Sequence, residues 1–155
     1  MAIYVTSDAH GHVRALDEAL SKISLTSDDT LYVLGDMIDR GPDPVGVIKL
    51  VRSLPNTRVL KGNHEQIMLD AIIGQDPLDA ETWDINGGWT TREQLNDMEF
   101  EAYEELVRWM AALPLYAVAE TEERPYLLVH AGIEMKAARA FLLEHGVDCA
   151  DGVGA

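Results

Sequence analysis

The residues able to do chemistry are concentrated in four short segments, each of which follows an apolar run. They are "SDAHG" (7–11), "GDMIDRG" (35–41), "GNHE" (62–65) and "VHAG" (129–132). Together they supply carboxylates, imidazoles, a guanidinium and a carboxamide, but no thiolate. Such a ligand set suits Mn, Fe, Co, Ni or Zn in an open site and differs from a structural cysteine-type zinc site.

The elements that must position these segments alternate between strands and helices. Apolar runs at 2–8, 30–36 and 57–63 are typical of buried strands, and amphipathic patterns typical of helices separate and follow them. This alternation predicts a parallel sheet, whose ligand sites lie beyond the carboxyl ends of the strands. The side chains that we expect to meet there are Asp8, His10, Asp36, Asp39, Arg40, Asn63 and His64.

The second half of the chain has a different pattern. Residues 99–113 form an amphipathic repeat that predicts a long helix, which Pro114 ends. Residues 115–132 predict a hairpin around the polar turn "ETEERP", with His130 at the end of its second strand, and residues 135–146 predict a last helix.

The segment "QDPLDAETWDINGGWT" (75–90) is rich in Pro, Asp, Asn and Gly, so it predicts mostly loop. It contains Trp83 and Trp89, near the expected site. We expect both indoles to pack in the core or against the loop rather than to stack on a ligand.

Each chemical segment also has a purely structural interpretation as a turn or helix cap. Four such segments at four strand ends favour a metal site, because buried charges need partners or a metal. Two aspartates and two histidines exceed the needs of one open catalytic ion. An aspartate shared by two ions about 3.5–4 Å apart would use them.

The side chains beside the metal ligands suit phosphate chemistry. Arg40 offers a planar fork that matches phosphate oxygens. His64, next to a carboxylate partner, can protonate a leaving alkoxide.

The order and spacing of "SDAHGH", "GDMIDRG", "LKGNHE" and "LVHAGI" resemble the four signatures of the phosphoprotein phosphatase family of calcineurin-like metallophosphoesterases. The resemblance covers roughly residues 1 to 133 and is strongest to the bacterial and phage branch, which includes lambda-phage protein phosphatase and symmetrical diadenosine tetraphosphate hydrolases. It implies an α/β fold, a β-sandwich flanked by helices. We expect one domain over residues 1–147, an incomplete second sheet and a frayed tail over 148–155.

The resemblance also implies how the metal ligands are shared. Asp8 and His10 would bind a first ion, Asp36 would bridge both ions, and Asn63 and His130 would bind the second. Two divalent ions are implied, with Mn²⁺ expected first and Fe, Zn, Ni and Co as alternatives.

The remaining roles concern the substrate. By the same resemblance, Arg40 and Asn63 would bind the phosphate, and His64 would be the general acid, oriented by Asp39. The implied reaction is hydrolysis of phosphate monoesters by a hydroxide that two metals activate. Serine/threonine phosphoproteins, with tyrosine as a variant, are the first expected substrates. The alternatives are a diadenosine tetraphosphate-type hydrolase and a metal- or phosphate-binding remnant with little turnover.

The chain departs from the family pattern after "HAG". The family usually continues with a second arginine and a "GHT"-like segment whose histidine completes the second metal site. The candidates here are Arg139 and His145, and neither sits in the family pattern. We therefore expect a tight first metal site, a weak second one, and a homodimer that covers the incomplete sheet.

Composition restricts the partners and the compartment. The net charge is −15, so the chain repels nucleic acids and anionic membranes. No apolar run approaches the roughly 20 residues that span a bilayer, and "MAIYVTSD" does not resemble a signal peptide. The single cysteine, Cys149, excludes an intrachain disulfide. We expect a cytoplasmic protein.

Overall fold

The structure is a computed structural model that describes residues 2–74, 76–144 and 146. The strands are β1 (Ile3–Thr6), β2 (Thr30–Val33), β3 (Thr57–Val59), β4 (Tyr116–Glu120) and β5 (Pro125–Val129). The helices are α1 (Val13–Ile23), α2 (Pro44–Ser53), α3 (Asn63–Ile73), α4 (Pro77–Ile85), α5 (Trp89–Asn96), α6 (Phe100–Ala111) and α7 (Met135–Glu144).

The first sheet is the predicted parallel sheet, in the order β1-β2-β3. Its central strand β2 is buried from Leu31 to Val33. Helices α1 and α2 connect the strands in sequence and pack on the core through side chains at helical spacing, such as Leu16 and Leu20. Because all three strands run the same way, the segments that follow them meet at one sheet edge.

The second sheet is the predicted hairpin, an antiparallel pair of β4 and β5. The Tyr32 hydroxyl donates a hydrogen bond to the Val118 carbonyl at 3.2 Å, and the Lys61 N–H donates to the Pro114 carbonyl at 2.8 Å. These contacts connect the hairpin to the first sheet. The two layers confirm the α/β metallophosphatase fold with a small second sheet.

The segment between α3 and α6 differs from the prediction of loop over residues 75–90. It forms the helices α4 and α5. Asp76 caps α4 by accepting the Leu78 N–H at 2.9 Å, and Pro77 takes the first helical position. Asp and Pro are common in loops, but the same residues favour the first turn of a helix, so composition misled the prediction.

The two tryptophans of this segment lie in opposite environments. Trp83 on α4 is 3% exposed and packs in the core, as predicted. Trp89 on α5 is 56% exposed, so the expectation that it packs was wrong. Its position at the start of α5 turns it away from the core that Trp83 joins.

The helices contain 8 to 12 residues each. Among residues 2–74, 76–144 and 146, none of them has the length and apolar character needed to cross a membrane.

Gly35 provides a test of how closely the loop after β2 approaches the loop after β3. Its φ is +100°, and an added Cβ would lie 2.3 Å from the Gly62 nitrogen. We predict that Gly35→Ala lowers the free energy of unfolding by about 1–3 kcal/mol, because the new methyl group cannot fit. Urea unfolding measures the change. Gly132→Ala is the matched control, since an added Cβ there meets no described atom within 4 Å; equal losses in both variants would contradict the prediction.

Candidate metal centre

Backbone hydrogen bonds join the loops that follow β1 and β2. The N–H groups of Asp8, His10 and Gly11 donate to the carbonyls of Gly35, Asp36 and Met37 at 3.1, 2.9 and 2.9 Å. The two loops therefore run side by side. Their functional side chains are held in fixed relative positions before any ligand contributes.

The Glu65 carboxylate joins the loops that follow β2 and β3. It accepts N–H groups from Asp36 at 2.9 Å, Met37 at 2.8 Å and Gly62 at 2.8 Å, and the residue is 0% exposed. Burial raises the pKa of the Glu65 carboxyl, while the three N–H donors oppose that rise. Sequence reasoning assigned no role to Glu65 and missed this one.

Several functional residues have left-handed backbone conformations, which are uncommon outside glycine. The φ angles are 57° at Asp8, 40° at His10, 53° at Asp36, 68° at Asp39 and 66° at Arg40. These conformations let the chain turn back directly after each strand and aim consecutive side chains at one point. Such strained residues persist where the surrounding structure fixes them, and they cluster at functional sites.

Asp36 lies at the centre of the expected metal ligands. Its carboxylate belongs to two groups whose ligand atoms lie within 4.8 Å of one another, one with His10 and His64 and the other with Asp8 and His130. His10 Nε2 is 3.6 Å from Asp36 Oδ2 and 3.9 Å from Asp8 Oδ1. The predicted bridging residue is thus the one that both groups share, although the grouping also brings in His64.

Asn63 and His130 complete the other side of Asp36. His130 Nε2 lies 2.8 Å from Asn63 Oδ1 and 3.3 Å from Asp36 Oδ1. Its Nδ1 lies 2.8 Å from the Leu34 carbonyl, which can only accept, so Nδ1 carries the proton. In a neutral ring, Nε2 then directs a lone pair toward two oxygen atoms. A cation between them would remove that repulsion.

The ligand set fits divalent metals on three grounds. First, His10 resembles His130, since its Nδ1 lies 2.8 Å from the Ile38 carbonyl; its Nε2 accepts a hydrogen bond from Arg40, which a metal ion would replace. Second, metal-bound histidines commonly donate their other N–H to such a carbonyl. Third, ligands about 2.0–2.2 Å from one ion are separated by no more than about 4 Å, and the distances around Asp36 meet that limit.

His64 and Asp39 form a buried pair beside the metal ligands. His64 Nδ1 lies 2.7 Å from Asp39 Oδ2, and the two side chains are 1% and 0% exposed. Asp39 also accepts hydrogen bonds from Trp83 Nε1 at 3.1 Å and from Thr91 Oγ1 at 2.6 Å. The structure thus brings together the predicted acid and its orienting carboxylate, with two further partners that sequence reasoning missed.

The Arg40 guanidinium lies over the two histidines nearest the centre. Nη1 donates to His10 Nε2 at 2.9 Å and Nη2 donates to His64 Nε2 at 2.8 Å. Arg40 itself is exposed. A planar cation at this position can meet an anion that enters from solvent.

The structure describes one of the two candidates for the missing C-terminal arginine and histidine. Arg139 is exposed on α7. His145 lies outside the described residues, as do the residues of the predicted tail.

A cavity of about 530 Å³ adjoins the Asn63 and His130 side of the centre. Apolar side chains contribute much of its wall, and Lys61 and Gln66 are among its polar members. The cavity opens Asn63 and His130 to solvent.

Comparison with protein families matches residues 1–149 to the family described as Calcineurin-like phosphoesterase. The chain belongs to the calcineurin-like phosphoesterase family. Membership confirms the resemblance at the level of the calcineurin-like family, while the bacterial and phage branch stays a prediction. It agrees with the oxygen and imidazole ligands gathered around Asp36.

Curated relatives of this phosphoesterase chain include two symmetrical bis(5'-nucleosyl)-tetraphosphatases. The protein from Erwinia tasmaniensis is 32% identical over 136 residues, and the one from Proteus mirabilis is 32% identical over 138 residues. Each alignment covers 86% of this chain and 45% of the relative. The phosphoesterase chain therefore spans less than half the length of these proteins.

Solved structures with the same fold include a metallophosphoesterase from Sphaerobacter thermophilus. It superposes with a TM-score of 0.54 and 26% identity over 76% of this chain and 42% of its own. A Saccharomyces cerevisiae serine/threonine phosphatase superposes with a TM-score of 0.57 and 18% identity, over 86% of this chain and 42% of its own, which shows the fold alone.

Glu65 provides a test of the loop arrangement in this phosphoesterase. We predict that Glu65→Gln destabilises the chain by about 1–3 kcal/mol, because an amide NH₂ would face a backbone N–H that needs an acceptor. Metal affinity should fall as well, since Asp36 and Asn63 lose their common support. Urea unfolding and titration calorimetry with Mn²⁺ measure the two effects. The exposed Glu104 gives the control Glu104→Gln, and a variant at Glu65 with unchanged stability and metal affinity would contradict the prediction.

Proposed function

We propose that this chain hydrolyses phosphate esters or anhydrides with the help of two divalent metal ions. The observation that carries the proposal is the sharing of Asp36 between two groups of metal ligands, directly beside the His64–Asp39 pair. A site of this kind combines a place for two cations with a proton donor at hydrogen-bonding distance from a bound oxygen.

The ligand assignment is the one that the family resemblance implies, and the short distances around Asp36 support it. Asp8 and His10 would hold one ion, Asn63 and His130 the other, and Asp36 would contact both. When bound, two such ions lower the pKa of a water molecule and neutralise phosphate charge. Mn²⁺ is the metal that we propose to test first.

The other side chains bind the substrate and move a proton. Arg40 would exchange its hydrogen bonds to the Nε2 atoms of His10 and His64 for bonds to phosphate oxygens, which frees both Nε2 atoms. Asp39 holds the proton on His64 Nδ1. Once Arg40 has left it, His64 Nε2 can carry a second proton and donate it to the oxygen of the leaving group.

For the substrate we propose a dinucleoside tetraphosphate. The relatives' names support this substrate better than a phosphoprotein, which sequence analysis placed first. Symmetrical hydrolysis with one water would release two nucleoside diphosphates. The likeness to the yeast protein phosphatase extends to the fold and adds no support for a protein substrate.

Four sequence expectations stay predictions. The homodimer, the single domain over residues 1–147 and the cytoplasmic location concern properties beyond the geometry of the site. The unequal strength of the two metal sites belongs with them.

The decisive experiment is a panel of substrates with added Mn²⁺. Diadenosine tetraphosphate, a serine phosphopeptide and 4-nitrophenyl phosphate are compared by kcat/KM. We expect diadenosine tetraphosphate to have the highest value and to yield ADP alone. A preference for the phosphopeptide would contradict the substrate proposal. Failure of all three would support a binding remnant without turnover. Asp36→Asn is the control that should lose both metal and activity.

His64 provides a test of the general acid. We predict that His64→Asn retains metal and lowers kcat on phenyl phosphate by roughly 10²–10⁴-fold, because the departing phenolate needs a proton. The loss on 4-nitrophenyl phosphate should be much smaller, since its leaving group is more acidic. Steady-state kinetics and elemental analysis measure both properties. Equal losses on the two substrates would exclude this role for His64.

A further inference from the structure

We propose that the α4–α5 segment is a positioning clamp for the His64–Asp39 pair, with Trp83 and Thr91 as its two contact residues. The clamp rests on the proposed function, since it acts through the general acid. It assigns a role to the part of the chain whose composition indicated loop.

Thr91 makes two hydrogen bonds with Asp39 through one hydroxyl. Oγ1 accepts the Asp39 backbone N–H at 2.9 Å and donates to Asp39 Oδ1 at 2.6 Å. Thr91 is 0% exposed. Its hydroxyl therefore fixes both the backbone and the carboxylate of Asp39, whose φ of 68° is in the left-handed region.

Trp83 holds the same carboxylate from α4. Its Nε1 lies 3.1 Å from Oδ1 and 3.2 Å from Oδ2 of Asp39, and the residue is 3% exposed. Gly88 packs so closely on the indole that an added Cβ would lie 2.2 Å from its Cδ1. Gly88, in the link between α4 and α5, thus holds the Trp83 indole in place.

The clamp also reaches the neighbouring residue, Arg40. The Arg40 N–H donates to the Gly87 carbonyl at 3.0 Å. In addition, α4 packs on α3, the helix in which His64 is the second residue. One segment therefore contacts the orienting carboxylate, the phosphate-binding arginine and the helix that carries the acid.

These contacts restrict the Asp39 carboxylate to one orientation. Thr91 donates to Oδ1, Trp83 Nε1 lies between the two oxygens, and Oδ2 is directed at His64 Nδ1. A buried carboxylate needs such donors, because it has no water to replace them. Loss of either donor frees the carboxylate to rotate away from the imidazole. The proton on Nδ1, and with it the direction of Nε2, would then be less well fixed.

The chain contains a matched control for each contact residue. Thr90 is buried like Thr91, but its Oγ1 has no hydrogen-bond partner among the described atoms. Trp89 is an exposed tryptophan in the same segment. Thr90→Val and Trp89→Phe therefore make the same chemical changes as Thr91→Val and Trp83→Phe without touching Asp39.

The first measurement uses the metal-free protein. The His64 Nδ1 proton is buried in a short hydrogen bond to a carboxylate, so it should give a far-downfield proton NMR signal protected from exchange. We expect Thr91→Val and Trp83→Phe to shift or remove this signal, and Thr91→Ser, Thr90→Val and Trp89→Phe to retain it. An unchanged signal in Thr91→Val and Trp83→Phe, or no such signal in the wild type, would overturn the clamp.

The second measurement is the dependence of kcat/KM on the leaving group, with Mn²⁺ added. We expect Thr91→Val to lower the value for phenyl phosphate roughly tenfold, equivalent to about 1.4 kcal/mol, and to change that for 4-nitrophenyl phosphate much less. Thr91→Ser should restore the wild-type ratio. Equal losses on both substrates would indicate a merely structural role and overturn the proposal. A wild type that hydrolyses neither of these substrates nor diadenosine tetraphosphate would overturn the proposed function, while the NMR signal would still decide whether the clamp exists.

Discussion

The arrangement of the site depends on one buried carboxylate, that of Glu65. Three backbone N–H groups from two different loops converge on it. A carboxylate without water must be satisfied by such donors, and an N–H group in the same place must find an acceptor. Because the carboxylate needs the N–H donors and the donors need the carboxylate, the loops after β2 and β3 have one stable relative position. That position sets the spacing of Asp36, Asn63 and His64.

The same constraint explains why two glycines stand where the loops meet. A Cβ on Gly62 would lie 2.2 Å from Asp36 Oδ1, and Gly35 approaches the Gly62 nitrogen from the other side. Backbone must come this close for the Glu65 carboxylate to reach both loops at once. The two glycines and the buried Glu65 carboxylate are therefore both required for the loops to meet in this way.

Sequence reasoning predicted which candidate site residues the structure brings together, and it missed the residues that support them. The parallel sheet, the hairpin and the convergence around Asp36 followed from strand periodicity and from residue types at strand ends. The hydrogen bonds that hold Asp39 were not predicted, because Thr91 and Trp83 are far from Asp39 in the sequence and no local pattern links them. The prediction of loop over residues 75–90 was wrong for a different reason, since turns and helix starts both favour residues such as Asp76 and Pro77.

The two groups of ligands around Asp36 differ in their access to water. His10, Asp36 and His64 are all buried, while the side chain of Asp8 is 57% exposed and His130 borders an open cavity. In the proposed assignment each ion shares the buried Asp36 and has one ligand that solvent reaches, Asp8 for one ion and His130 for the other. Solvent would displace these outer ligands first, and Asp36 would be the last ligand to release either ion. Chelators and carboxylate buffers would therefore compete at Asp8 and His130, and the metal content of a preparation would depend on its history.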